Sequence, residues 1–130
     1  MLFVPTELRA SPIAGVGVFL LAPVKKGVLI WRFDTRIDRV FSETELAALP
    51  EPTQSYVKIR APWHEKTGLY VLSGDNARYF NHSDTPTVHS IGDGFSDDIA
   101  AFDLAVGTEL TSNYHDFYDN KELLAAMKLR

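Results

Sequence analysis

Apolar residues recur along this chain in short bursts, and glycine or proline stands between most of them. Gly15-Val16-Gly17-Val18-Phe19-Leu20-Leu21 reads as a glycine turn running into an apolar strand. Pro23-Val24-Lys25-Lys26-Gly27 is a second turn, and Val28-Leu29-Ile30-Trp31-Arg32-Phe33 is a β-branched and aromatic run that predicts a strand. Ile37-Asp38-Arg39-Val40-Phe41 partly alternates and continues the pattern. Ser42-Glu43-Thr44-Glu45 has capping-box spacing, so a short helix is expected through residues 46–49, ending before Pro50. Tyr56-Val57-Lys58-Ile59 fits a strand, Pro62-Trp63-His64 a loop, residues 69–72 a strand and Gly74-Asp75 a turn. Residues 87–91 and 99–102 read as strands around the polar loop 92–98, and Gly107 marks another turn. A terminal helix is expected over 121–129, with Asp119 or Asn120 as its N-cap. Many short strands with frequent punctuation predict one mainly β domain over residues 1–130, α+β by some schemes.

Composition narrows the function classes. A chain of 130 residues, 45% apolar and 23% charged, has the makeup of one ordinary globular domain with a modest core. A net charge of −4 disfavours duplex nucleic acid as the main partner. With no cysteine, disulfides, thiolate zinc sites and a cysteine nucleophile are excluded. The opening Met1-Leu2-Phe3-Val4-Pro5 lacks the basic start and apolar core of a signal peptide, and no apolar run approaches the ~20 residues of a membrane helix. A cytoplasmic location, or a host cell's interior, is therefore expected, with no membrane partner.

Two segments break the pattern. Arg78-Tyr79-Phe80-Asn81-His82-Ser83-Asp84-Thr85-Pro86 sets a guanidinium, an amide, an imidazole and hydroxyls directly against aromatics. Polar groups among buried aromatics need partners, which is how a site reads in sequence. Gly107-Thr108-Glu109-Leu110-Thr111-Ser112-Asn113-Tyr114 is the second. Taken singly, the members are ordinary. Gly15-Val16-Gly17 precedes a strand, whereas a dinucleotide fingerprint follows one. His64, His82, His89 and His115 show no metal-ligand spacing, so a small β metal-binding protein is the weakest alternative and no metal ligand is assigned. Glu109 alone reads as a solvated or turn residue and Tyr114 alone as a half-buried one.

Together, and in this order, the segments resemble the SET-domain protein lysine methyltransferases. That family's middle motif runs roughly G-N-x-A-R-F-x-N-H-S-x-x-P-N, its late motif G-E-E-L-T-x-D-Y, and its early turn S-x-x-x-G-x-G-V-F matches Ser11 to Phe19. The resemblance spans about residues 7–118 and is closest in size to the minimal, stand-alone members of viruses and bacteria. It implies a β-clip fold of several short curved sheets, in which the late motif threads under the Asn-His-Ser loop in a pseudoknot-like crossing. It implies transfer of a methyl group from S-adenosylmethionine to a lysine of a protein or peptide, histone-like or otherwise. By resemblance, Ala14, Gly15, Val16 and Gly17 lend backbone to the cofactor, and Asn81 and His82 hold its two ends. Arg78 braces that segment or helps hold the carboxylate. Tyr114 is the catalytic residue beside methyl and amine. Tyr56, Tyr70, Tyr79, Phe117 and Tyr118 are candidates for the lysine channel wall. The segment after Tyr114 supplies the lid, with residues 119–130 as the helix and Phe117 or Tyr118 over the adenine.

The chain departs from the family at Thr87, where asparagine is usual, at Asn113 for aspartate, and at Ser112, where an aromatic is frequent. These departures motivate the alternative of a catalytically weak cofactor- or peptide-binding module. Some small members of the family pair, so a homodimer is compatible with the resemblance.

Overall fold

The computed structural model describes residues 1–64, 67–91 and 97–114. The expected terminal helix, Phe117, Tyr118, His115 and most of the 92–98 loop lie outside the described residues. Among the described residues, ten short strands form three small sheets, with two short α-helices and a 3-10 helix. The mainly β expectation therefore holds.

The first sheet carries the motifs. β1 (Thr6–Ala10) and β2 (Val16–Leu20) form an antiparallel hairpin, closed at Gly15, whose φ of 47° is the left-handed conformation that glycine adopts without strain. β10 (Glu109–Ser112) lies beside β2, Leu110 opposite Val18 and Glu109 opposite Phe19. On its other side β10 runs parallel to β7 (Asn81–His82), Thr111 opposite Asn81 and Ser112 opposite His82. The spatial order is β1-β2-β10-β7, so strands far apart in sequence meet in the middle of the sheet.

β3 (Leu29–Trp31), β8 (Val88–Ser90) and β9 (Asp98–Ala100) form the second sheet in the order β3-β9-β8. Between these two sheets lies the main core, with Val18, Leu20, Ile30, Ala100 and Leu110 fully shielded. Burying a side chain of this size contributes roughly 1.5–3 kcal/mol. β4 (Arg39–Ser42), β5 (Trp63–His64) and β6 (Leu69–Leu72) form the third sheet, order β4-β6-β5, over a smaller core of Phe41, Leu46, Val57, Ala61 and Tyr70.

The expected capping box is present. The Ser42 hydroxyl accepts from the Glu45 N–H and the Glu45 carboxylate accepts from the Ser42 N–H, starting α1 (Glu43–Ala47). One expectation fails: Tyr56-Val57-Lys58-Ile59 is not a strand but part of α2 (Glu51–Arg60). Of those four residues only Val57 is buried, which is a helix's contact stripe and not a strand's alternation. Pro52 sits in the first turn, where a missing N–H is no loss, while Glu51 at the start and Lys58 and Arg60 at the end suit the helix dipole. The Gln54 amide donates to the Leu49 carbonyl at 2.7 Å, fastening α2 to the chain leaving α1. Likewise Trp63 and His64, expected in a loop, pair with β6 at Tyr70 and Leu69.

Asp38 joins the third sheet to the motif segment. Its buried carboxylate accepts from the backbone N–H groups of Asp34 at 2.9 Å and Gly74 at 3.0 Å. Gly74 lies so close to the Ile37 carbonyl that a Cβ would stand 1.8 Å from its oxygen. Asp75 then caps the 3-10 helix Asn76–Tyr79, accepting from the Ala77 N–H at 3.1 Å, and that helix delivers the chain into β7.

Candidate active site at the strand crossing

The parallel pairing of β7 and β10 brings the middle and late motifs together, and the early glycine turn closes on both. Asn81 stands at the centre, 3% exposed. Its amide nitrogen donates to the carbonyls of Ala14 and Val16, both at 3.1 Å, and to the Glu109 carboxylate at 3.0 Å. One side chain thus ties the turn to the crossing. Its donor capacity is fully engaged, and among the described residues its amide oxygen accepts nothing.

Glu109, which taken alone reads as a solvated or turn residue, is the second hub. Its carboxylate accepts from the Ser11 hydroxyl at 2.8 Å and from Asn81. Gly17 lies directly over it, where a Cβ would stand 2.4 Å from Oε2. A side chain at the second glycine of the turn would therefore displace the Glu109 carboxylate from its place beside Ser11 and Asn81. The signal was present in sequence, since Ser11 and Glu109 both belong to motifs, but nothing in either motif pairs them.

Tyr114 follows β10 and is 5% exposed. Its hydroxyl donates to the Phe80 carbonyl in a short hydrogen bond. Its backbone N–H donates to His82 Nδ1 at 3.0 Å, and the two rings meet edge-on with centroids 5.2 Å apart. Because an N–H can only donate, Nδ1 is the accepting nitrogen. The ring proton of neutral His82 therefore sits on Nε2, which donates to Asp84 at 2.8 Å. Asn81, His82 and Tyr114 are together, as the motifs implied.

Thr87 belongs to the crossing as well. Its hydroxyl donates to the Glu109 carbonyl at 2.8 Å and accepts from the Thr111 N–H at 2.9 Å, and its own N–H donates to the Thr111 hydroxyl at 3.1 Å. The threonine that departs from the motif thus clasps β10 from the segment after β7.

The aromatic candidates divide. Tyr70 is packed in the second core against Trp63, ring centroids 4.8 Å apart, and burial raises its hydroxyl pKa. It fills space between strands instead of lining the crossing. Tyr56 and Tyr79 hydrogen-bond to each other beside two guanidiniums. Arg78 donates to the Ser73 carbonyl at 2.9 Å and to the Tyr56 hydroxyl at 3.0 Å. Among the described residues no three histidines or carboxylates cluster as a metal site would require. Among them, too, no helix is long and apolar enough to cross a membrane.

No protein-family model matches the chain, and no protein of curated function matches it by sequence. Solved structures do match. A Chaetomium thermophilum Polycomb Repressive Complex 2 bound to S-adenosylmethionine superposes with a TM-score of 0.67 at 20% identity, covering 95% of this chain. A humanized mutant of that complex bound to the inhibitor GSK343 gives 0.68 at 19%, covering 97%. A candidate histone methyltransferase of Plasmodium falciparum gives 0.57 at 21%, covering 84% of this chain and 91% of its own. The chain has the SET-domain fold. It spans only 17% of the length of the Polycomb chains it matches. At these identities the likeness is one of fold, and the SET-domain crossing is the part of that fold where the three motifs meet.

Proposed function

We propose that this SET-domain chain transfers a methyl group from S-adenosylmethionine to the side-chain amine of a lysine in a protein. The observation that carries the reading is the crossing itself: Tyr114, Asn81, His82 and the turn at 14–17 converge, with the Asn81 oxygen an open acceptor among the described residues.

The residues present fit the cofactor. The Asn81 oxygen suits the ammonium of its amino-acid end, and Gly15, with open space where a Cβ would stand, lets backbone approach closely. His82 and the turn carbonyls complete the candidate contacts. When bound, the sulfonium supplies an electrophilic methyl group, so the chemistry asked of the protein is modest. What remains for the chain is positioning and desolvation. The Tyr114 proton is committed to the Phe80 carbonyl, which turns the phenol's lone pairs outward as acceptors for an amine N–H. Held in this way, a lysine amine presents its own lone pair for in-line attack, and alignment of this kind lowers barriers by roughly 7–11 kcal/mol in favourable cases. The lysine must first release its proton to solvent, which burial beside apolar walls favours by disfavouring the ammonium. Two proteins of the same fold, one described with S-adenosylmethionine and one as a candidate histone methyltransferase, support the reading.

The test is methyl transfer from radiolabelled S-adenosylmethionine to a pool of lysine peptides and basic proteins. Label in lysine is the expected result, and its loss in Tyr114→Phe assigns the hydroxyl. Tight S-adenosylhomocysteine binding with no transfer to any lysine would instead mark a binding module.

A further inference from the structure

Among the described residues, two half-buried guanidiniums, those of Arg60 and Arg78, have no carboxylate beside them. Tyr56 and Arg60 are four residues apart on α2 and share one helix face. Opposite them stand Arg78 and Tyr79 of the 3-10 helix. The Arg60 guanidinium lies over the Tyr79 ring, 4.8 Å from its centroid, and Arg78 is 5.9 Å from the centroid of Tyr56. Arg78 is held by the Ser73 carbonyl and the Tyr56 hydroxyl, which engage two of its five N–H groups. Among the described residues the Arg60 side chain donates no hydrogen bond, and neither arginine meets a carboxylate. Arg9, Arg32 and Arg36, by contrast, each have one within 3.0 Å.

We propose that Arg60 and Arg78 form a receptor for an acidic side chain, a carboxylate or a phosphate, on the protein that this site modifies. The arrangement is preorganised. Stacking on Tyr79 and anchoring by Tyr56 fix both planes before any ligand arrives, so less side-chain freedom is lost on binding. The unengaged N–H groups are those of a planar fork that pairs an oxyanion with two parallel bonds. The field is also right for an anion. Burial pushes the Tyr56 hydroxyl pKa up, yet its bonds to Tyr79 and Arg78 and the charges of Arg78 and Arg60 leave it below the usual tyrosine value. The receptor adjoins the reacting centre, because Tyr79 immediately precedes Phe80, whose carbonyl holds the Tyr114 hydroxyl. An acidic residue a few positions from the target lysine would reach it.

This inference rests on the lysine methyltransferase reading, so its test reads binding as well as turnover. Lysine peptides carrying glutamate, phosphoserine or alanine at each flanking position are titrated against the protein by fluorescence anisotropy and assayed for methylation. At least one acidic position should tighten binding tenfold or more over alanine. Whether glutamate or phosphoserine gains more names the natural anion. Arg60→Gln should abolish the gain, and Lys58→Gln, on the same helix but outside the cluster, should retain it. Equal affinity for acidic and neutral peptides overturns the proposal even if lysine is methylated. So does an Arg60→Gln defect in S-adenosylhomocysteine affinity with the peptide preference intact, since the anion would then be the cofactor's own carboxylate. Arg60-dependent acidic-peptide binding without methyl transfer would sustain the receptor and sink the enzyme.

Discussion

Single residues at the crossing have sharply different tolerances. Glu109→Gln keeps one acceptor but turns an NH2 toward either Ser11 or the Asn81 amide, both of which donate to the carboxylate. Loss of about 1–3 kcal/mol of stability is expected, together with weaker S-adenosylhomocysteine binding, measurable by urea unfolding and calorimetry. Thr87→Val keeps the shape but strands the Glu109 carbonyl and the Thr111 N–H, so a similar destabilisation of about 1–3 kcal/mol is expected in the same urea series. Asp98 gives a prediction in pH. Burial is the main cause of a carboxyl pKa near 7, against about 4 in the unfolded chain. Between those values the folded state holds the proton more tightly, so this group's contribution is most favourable below pH 4 and falls as pH rises toward 7. Asp98→Asn should flatten that part of the profile, and the difference between the two urea midpoints followed from pH 4 to 8 isolates it. Other carboxylates act oppositely. Asp97 and Asp103, held below their usual range by the Arg32 hydrogen bond and by the Lys26 N–H, lose stability as acid is added.

At the scale of elements, the short helices and turns show what a sequence can and cannot disclose. The capping box at Ser42 and Glu45 is local chemistry, and it reads directly. The Tyr56-Val57-Lys58-Ile59 run misleads because its β-branched residues suggest a strand, while the decision lies with Pro50, Pro52 and the single apolar position that α1 and β6 leave to be filled. Asn81, His82 and Tyr114 were legible as a set because the motifs keep their order. The bond from Asn81 to Glu109 was not, since hydrogen-bond partners 28 residues apart leave no periodicity to read. The Arg60 and Arg78 cluster escaped for the same reason, half of it lying on a helix mistaken for a strand. The joint between Asp38 and Gly74 makes an element-scale prediction. Gly74→Ala would drive a methyl into the Ile37 carbonyl, so the turn must move and take the 3-10 helix with it. A loss above about 3 kcal/mol, or failure to accumulate as folded protein, is expected by circular dichroism.

Across the whole molecule, the two cores are unequal partners. The larger sits between the first two sheets and includes Leu110 of β10, while the smaller is roofed by α1 and α2 and contains no residue of the crossing. Val57→Ala, in the smaller core, should cost about 2 kcal/mol and loosen α2 first. Amide exchange should show α2 opening before β2 and β10 if the smaller core is the weaker unit. The same variant should weaken acidic-peptide affinity more than S-adenosylhomocysteine affinity, because α2 carries Tyr56 and Arg60 themselves and reaches the crossing only through Arg78 and Tyr79.

The placement of β10 has a consequence for how the protein is made. It is the last described strand, yet it occupies an interior slot between β2 and β7. A nascent chain emerging from the ribosome therefore has β1, β2 and β7 exposed with the seat between them vacant, and no stable first sheet until residues 109–112 are released. The first sheet can therefore close only once β10 has been released, unlike sheets whose strands are all neighbours in sequence. A chain stalled before that point carries two open sheet edges, the form most apt to be bound by chaperones or lost to aggregation. Tyr114, arriving just behind the strand, meets His82 and Phe80 only as that gap closes, so the crossing and the first sheet are completed in one event.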